Sequence, residues 1–129
     1  MKKKKALLRG EEGFTLIEII AVLIILGILA AVAIPRYVDL TVNAENRAID
    51  AGIAELNGRE SLTWANIKIS LAGWADDATT FAAVDTDLGT DYTWSVAAAV
   101  GGGTLKFGSQ EVALTRTASI TTSPGRWAR

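Results

Sequence analysis

The fold is decided by the stretch Gly13-Phe14-Thr15-Leu16-Ile17-Glu18, which opens an apolar run that continues to Ile34. At about 21 residues, the run Phe14–Ile34 is long enough to cross a bilayer as a helix. Its one charged side chain is Glu18. A carboxylate costs roughly 2.5–3.5 kcal/mol at the bilayer centre and less nearer the edge. The sequence therefore predicts a membrane-spanning helix whose carboxylate needs a cation from a neighbouring group.

Basic side chains come before the apolar run, and a polar collar, Gly10-Glu11-Glu12-Gly13, separates the two. The basic residues are Lys2, Lys3, Lys4, Lys5 and Arg9. Because Lys and Arg hold the flank of an apolar helix in the cytoplasm, we expect the amino terminus inside and the chain after Ile34 outside the cytoplasmic membrane. A secretory signal peptide and an uncut single-pass anchor are the alternatives. The long apolar run, its internal Glu and the collar argue against the signal peptide.

Composition excludes several functional classes. The chain of 129 residues has no cysteine and no histidine, which removes disulfides, thiol catalysis and His-based acid–base chemistry. Beyond Gly13 it carries 8 basic and 12 acidic side chains, a poor balance for contact with nucleic-acid phosphates. We therefore expect no enzymatic activity, no cofactor and no nucleic-acid binding.

The basic leader, Gly13, Phe14, Glu18 and the helix proline Pro35 together resemble the type IV prepilins and their pseudopilin relatives. The likeness covers residues 1–35. It implies that a prepilin peptidase removes the leader, residues 1–13, by cutting between Gly13 and Phe14, and that the same enzyme methylates the new Phe14 amine. A glycine before the cut lets an enzyme approach the backbone closely.

The resemblance also implies assembly through the first helix, residues 14–35. The assembly residues would be Phe14, Thr15, Glu18, Gly27 and Pro35. After the cut, the cationic Phe14 amine would pair with Glu18 of its own chain, at helical i, i+4 spacing, or with Glu18 of a neighbouring subunit. Opposite charges 4 Å apart attract by about 4 kcal/mol at an effective dielectric of 20. Pro35 should kink the helix, and the resemblance suggests that Gly27–Pro35 loses helical structure on assembly.

The sequence after Pro35 predicts an α+β head, in which a small sheet packs against the second half of a long helix. Residues 36–71 form an amphipathic helical part with a break or kink at Asn57-Gly58, and residues 72–129 form a loop and a small antiparallel sheet. Alternating patterns indicate three strands, at 92–96, 104–107 and 111–116, with 118–122 as an extension of the third. The expected fold is thus pilin-like.

An acidic loop is the one candidate metal site. Its weak candidate ligands are Asp85, Asp87 and Asp91, with Asp76 and Asp77 nearby. Calcium prefers oxygen ligands, but the spacing matches no EF-hand loop, so we expect a solvated loop and no bound metal.

The sequence therefore favours a structural subunit of a type IV pilus, a helical homo-oligomer. Its expected partners are the prepilin peptidase/methyltransferase and an inner-membrane assembly platform with its ATPase. The chain would be stored in the inner membrane with its head in the periplasm, and then join a cell-surface or periplasmic filament. A type II secretion pseudopilin remains the alternative within the family. A membrane-anchored soluble domain without a filament role is the alternative of another class.

Overall fold

The computed structural model describes residues 13–129 and confirms the predicted α+β architecture. A long helix, α1, is followed by a short helix, α2, and four strands. Their bounds are α1 Leu16–Ile69, α2 Asp77–Ala82, β1 Tyr92–Ala99, β2 Gly102–Phe107, β3 Gln110–Thr117 and β4 Arg126–Ala128. Of the predicted leader, residues 1–13, all but Gly13 lie outside the described residues.

The chain divides into two units, Met1–Val38 and Asp39–Arg129. We call the described part of the first unit, residues 13–38, the stem, and the second unit the head. Large apolar side chains cover the whole circumference of the stem helix, and those from Leu16 to Ile34 are between 42% and 78% exposed. A helix that is apolar all round is suited to a membrane or to the inside of an assembly.

In the head, the second half of α1 covers one face of a fully antiparallel sheet with the strand order β1-β2-β3-β4. A sheet of this size is stable only when one face is covered. The buried core between helix and sheet consists of Ile49, Leu56, Leu105, Leu114 and Trp127. The predicted three-stranded meander is therefore correct for β1 to β3, and β4 extends it.

The predicted break at Asn57-Gly58 is wrong, because α1 continues through both residues to Ile69. Glycine in a helix costs roughly 0.5–1 kcal/mol relative to alanine. Tertiary contacts outweigh that cost here. The Asn57 amide donates to the carbonyl oxygen of Trp127 at 3.1 Å, and its oxygen accepts from the Trp127 N–H at 2.7 Å. Asn57 thus joins the helix to the last strand.

Three further details differ from the sequence-based expectation. The loop contains α2, which starts because the Asp76 side chain accepts from the Thr79 N–H at 2.7 Å, a helix cap. β3 ends at Thr117, so residues 118–122 do not extend it. β4 is not predicted by the sequence. It forms because the Trp127 side chain fills the core, where it is only 1% exposed.

Candidate functional site

The start of α1 is built as a capping box around Thr15 and Glu18. The Thr15 N–H donates to Glu18 Oε2 at 3.0 Å, and the Glu18 N–H donates to Thr15 Oγ1 at 3.3 Å. The first main-chain bond of the helix runs from the Ile19 N–H to the Thr15 carbonyl at 3.2 Å. Each partner therefore satisfies a backbone donor that a helix start leaves unpaired.

This arrangement gives Glu18 a role that the sequence analysis missed. The signal was present, since Thr-x-x-Glu ahead of an apolar run is the pattern of a capping box. A carboxylate in the first turn also interacts favourably with the positive end of the helix dipole. In the uncut chain, Glu18 is thus stabilised by its own helix. Its pairing with the Phe14 amine, which exists only after cleavage, stays a prediction.

The predicted cleavage position is open in the structure. Both Gly13 and Phe14 are exposed, and Phe14 is 82% exposed. A Cβ added at Gly13 would meet no atom within 4 Å. The packing of residues 13–129 therefore gives no reason for a glycine at position 13, and cleavage after Gly13 stays a prediction.

The other two predicted assembly residues lie along the same helix. A Cβ added at Gly27 would meet nothing within 4 Å, so contacts among the described residues do not require this glycine either. Pro35 lies inside α1, where it has no N–H to donate to the Ala31 carbonyl. α1 is long and apolar enough to cross a membrane, with a mean hydropathy of 3.0 over 18 residues. A kink at Pro35 and a loss of helix after Gly27 stay predictions.

A second cluster, which the sequence analysis missed, is a buried charge network in the head. It consists of Glu60 on α1, Asp77 on α2 and Arg116 on β3. The side chains of Glu60 and Arg116 are fully buried, and that of Asp77 is 15% exposed. Arg116 donates to both oxygens of Glu60, to both oxygens of Asp77 and to the Val100 carbonyl. All five guanidinium N–H groups are therefore used.

The two carboxylates of this network also accept hydrogen bonds from Ser119 and Trp127. Glu60 accepts from the Trp127 indole N–H at 3.0 Å, and Asp77 Oδ1 accepts from the backbone N–H and hydroxyl of Ser119 at 2.6 and 2.8 Å. Hydrogen bonds from Arg116 lower the pKa of Asp77 to about 2, against a smaller opposing effect of burial. The network is a structural centre with every buried polar atom of the described side chains paired.

The position of the network could have been found from periodicity. Glu60 continues the apolar stripe of Ile49, Ile53 and Leu56 at helical spacing, and it is as buried as Ile49 and Leu56. Arg116 follows Leu114 on the inward face of β3. A charged residue on the core side of each of two facing elements predicts a buried ion pair.

The acidic candidates Asp85, Asp87 and Asp91 do not converge on a metal site. Within residues 13–129, no group of three or more Asp, Glu, His or Cys side chains is placed to hold an ion. The side chain of Asp85 accepts from the Asp87 N–H and lies 3.4 Å from the Arg59 guanidinium. That of Asp87 accepts from the Gly89 N–H at 2.9 Å. The carboxylates of Asp85 and Asp87 therefore stabilise the conformation of the loop.

Comparison with known proteins finds one family model and several pilus proteins that match part of the chain. Residues 8–34 match the family model of the prokaryotic N-terminal methylation motif. The chain is 42% identical over 57 residues to the type IV narrow pilus major component PilA5 of Thermus thermophilus, covering 44% of this chain and 49% of that protein. It is 40% identical over 70 residues to a fimbrial protein of Pseudomonas aeruginosa, covering 47% and 46%.

A shorter match with higher identity is to the type IV major pilin protein PilE1 of Neisseria gonorrhoeae, 57% identical over 35 residues, covering 27% of this chain and 21% of that protein. No solved structure matches the chain. The chain spans about half the length of the first curated relatives it matches, or less. The chain thus carries the prokaryotic N-terminal methylation motif and is similar to type IV pilus proteins over about half of its length or less.

Proposed function

We propose that this chain is a structural subunit of a type IV pilus. The observation that carries the proposal is the start of α1, where an exposed Gly13-Phe14 peptide leads into a capped, all-round apolar helix with Glu18 in its first turn. The match to the methylation motif and the pilus proteins among the relatives support it. Its role is mechanical, so we propose no catalytic site.

The proposed path begins in the inner membrane. The stem spans the bilayer with its amino end in the cytoplasm and the head outside. A prepilin peptidase cuts between Gly13 and Phe14 and methylates Phe14, and a membrane platform with an ATPase then drives polymerisation. The exposed apolar side chains of Leu16–Ile34 leave lipid and pack against the stems of other copies, which keeps about 28 Å of apolar helix away from water.

Glu18 gains a second partner along this path. In the uncut chain the Phe14 nitrogen is part of a peptide bond and carries no charge, and Glu18 Oε2 accepts from the Thr15 N–H. Cleavage turns the Phe14 nitrogen into a cation. Glu18 Oε1 then accepts from the amine of its own chain or of a neighbouring copy. A pair between copies would set the axial register of the subunits, because an unpaired carboxylate among apolar stems is costly.

A pseudopilin of a type II secretion system would share the same amino-terminal features. The pilus components among the relatives favour the pilus. Electron microscopy of filaments sheared from cells, with antibody labelling of the head, tests the choice. Labelled filaments that disappear on deletion of the chain and return with its wild-type copy support the proposal. Unchanged, unlabelled filaments together with a loss of protein secretion would refute it.

A further inference from the structure

Asn57 holds the last strand to the long helix through both ends of its side-chain amide. Nδ2 donates to the Trp127 carbonyl at 3.1 Å, and Oδ1 accepts from the Trp127 N–H at 2.7 Å. The next residue is Gly58, which is exposed, and a Cβ added there would meet no atom within 4 Å. The side chain of Asn57, which holds β4, is thus followed directly by a backbone nitrogen that no side chain hinders.

An asparagine followed by glycine is prone to a specific reaction. The backbone nitrogen of the glycine attacks the side-chain carbonyl carbon of asparagine, ammonia leaves, and a five-membered succinimide forms. Water then opens the ring to aspartate or, by attack at the other carbonyl, to isoaspartate. Glycine favours the first step because it has no side chain to hinder the approach and reaches the required backbone geometry readily. Asparagine is among the residues most subject to thermal damage.

The folded head blocks the first step in two ways. Inside α1, the Gly58 N–H donates to the carbonyl of Ala54, four residues earlier, so the nitrogen points along the helix and away from the Asn57 side chain. The two bonds to Trp127 hold the Asn57 amide toward β4. Ring closure requires the amide to leave Trp127 and the backbone at Asn57 to leave the helical conformation.

β4 is the element whose release would remove this protection. It has three residues, lies at the edge of the sheet and pairs with β3 alone among the described strands. Short elements with few pairing partners open locally at a lower free energy than the whole domain. Beside it lies an open cleft of about 460 Å³ that gives water access to Asn57. The cleft is lined by Asn57, Ser61, Thr117, Ala118 and residues 123–126.

We propose that Asn57-Gly58 is a latent deamidation site that docked β4 protects, and that its reaction makes opening of the head irreversible. Aspartate at position 57 offers only acceptors, so it cannot donate to the Trp127 carbonyl and would place a carboxylate against it. Isoaspartate inserts an extra carbon into the main chain of α1 and interrupts the helix. Glu60, one turn further along, already supplies a buried carboxylate to Trp127.

The test follows deamidation of the purified full-length chain in detergent by peptide mass spectrometry and isoaspartate assay, in buffer and in urea. The wild-type rate in buffer should be at least about tenfold below that in urea, because an opening free energy of about 1.4 kcal/mol alone lowers the open fraction tenfold. Gly58→Ala is the matched control. It keeps Asn57 and its bonds, fits the open space, and should remain largely unmodified in urea.

Ala128→Pro tests the protecting role of β4 directly. Because the Trp127 N–H donates to Asn57, the Ala128 N–H faces β3, and proline removes that donor while leaving Trp127 in place. In buffer this variant should deamidate several times faster than wild type. Equal wild-type rates in buffer and urea would overturn the proposal, and so would an unchanged rate in a folded Ala128→Pro. If that variant does not fold, the buffer-to-urea ratio of the wild type still decides.

Discussion

Arg116 on β3 donates hydrogen bonds to both carboxylate oxygens of Glu60 on α1, a residue 56 positions earlier in the chain. Neither side chain is exposed to solvent. A buried charge is tolerated only when it is paired and hydrogen-bonded, so the contact forms completely only when helix and sheet are docked. In a chain without cysteine, this network connects α1, α2 and β3 where no disulfide can.

Removing one partner of this pair should destabilise the head strongly. We expect Glu60→Ala to lower the free energy of unfolding by about 3–5 kcal/mol, because two buried N–H groups of Arg116 and the Trp127 indole N–H lose their acceptor and only Asp77 still pairs with Arg116. Unfolding of the full chain in detergent, followed by tryptophan fluorescence in urea, measures the loss. Trp127, which donates to Glu60, is a reporter within the site.

Glu55→Ala is the matched control for that measurement. Glu55 lies on the same helix and pairs with Arg59 at 2.9 Å, but its side chain is 58% exposed. Exposed pairs contribute about 0–1 kcal/mol. Similar losses in the two variants would contradict the structural role of the buried network.

The lowered pKa of Asp77 predicts that the folded head loses stability in acid. Its bonds to Arg116 lower its pKa from 3.8 to about 2 in the folded head. A depressed folded pKa contributes stability above the unfolded pKa, and this contribution is lost as pH falls through the folded value. Between about pH 4 and pH 2, wild type should therefore lose about 2 kcal/mol that Asp77→Asn does not lose. Parallel pH profiles of the two proteins would contradict this assignment.

Two substitutions at Glu18 separate its cap from its charge. Glu18→Gln keeps an acceptor for the Thr15 N–H, so the helix start should persist, whereas Glu18→Ala removes both functions. Both chains should insert and be cleaved. Both should lower the filament yield at least about tenfold, because an attraction of about 4 kcal/mol spans several powers of ten in an equilibrium constant. A wild-type yield for Glu18→Gln would show that the charge is dispensable.

Calcium should leave the stability of the head unchanged. Asp85 and Asp87 already accept backbone N–H groups, and Asp85 lies beside Arg59. A calcium site needs six to eight converging oxygens. Thermal unfolding with calcium and with a chelator measures the difference, and a melting temperature that rises with calcium would restore the acidic loop as a metal site.

The sequence predicts most where a local pattern is complete. The apolar run and Glu18 identify the stem, and alternation identifies β1 to β3. It predicts less where distant residues act together. β4 has three residues, too few for a pattern, and it forms because Trp127 completes a core that the rest of the head builds. The glycine at position 125 also depends on distant residues, because a Cβ there would collide with the side chains of Arg116 and Glu60.

The proposed function requires that this chain is cut after Gly13 and then polymerised through its stem. Mass spectrometry of intact subunits from sheared filaments tests it most directly, with Gly13→Val as a control that should block the cut and leave the head folded. The account predicts a mature subunit of residues 14–129 with a methyl group on the Phe14 amine. A subunit that begins at Met1, or filaments that form undiminished from the Gly13→Val chain, would contradict it.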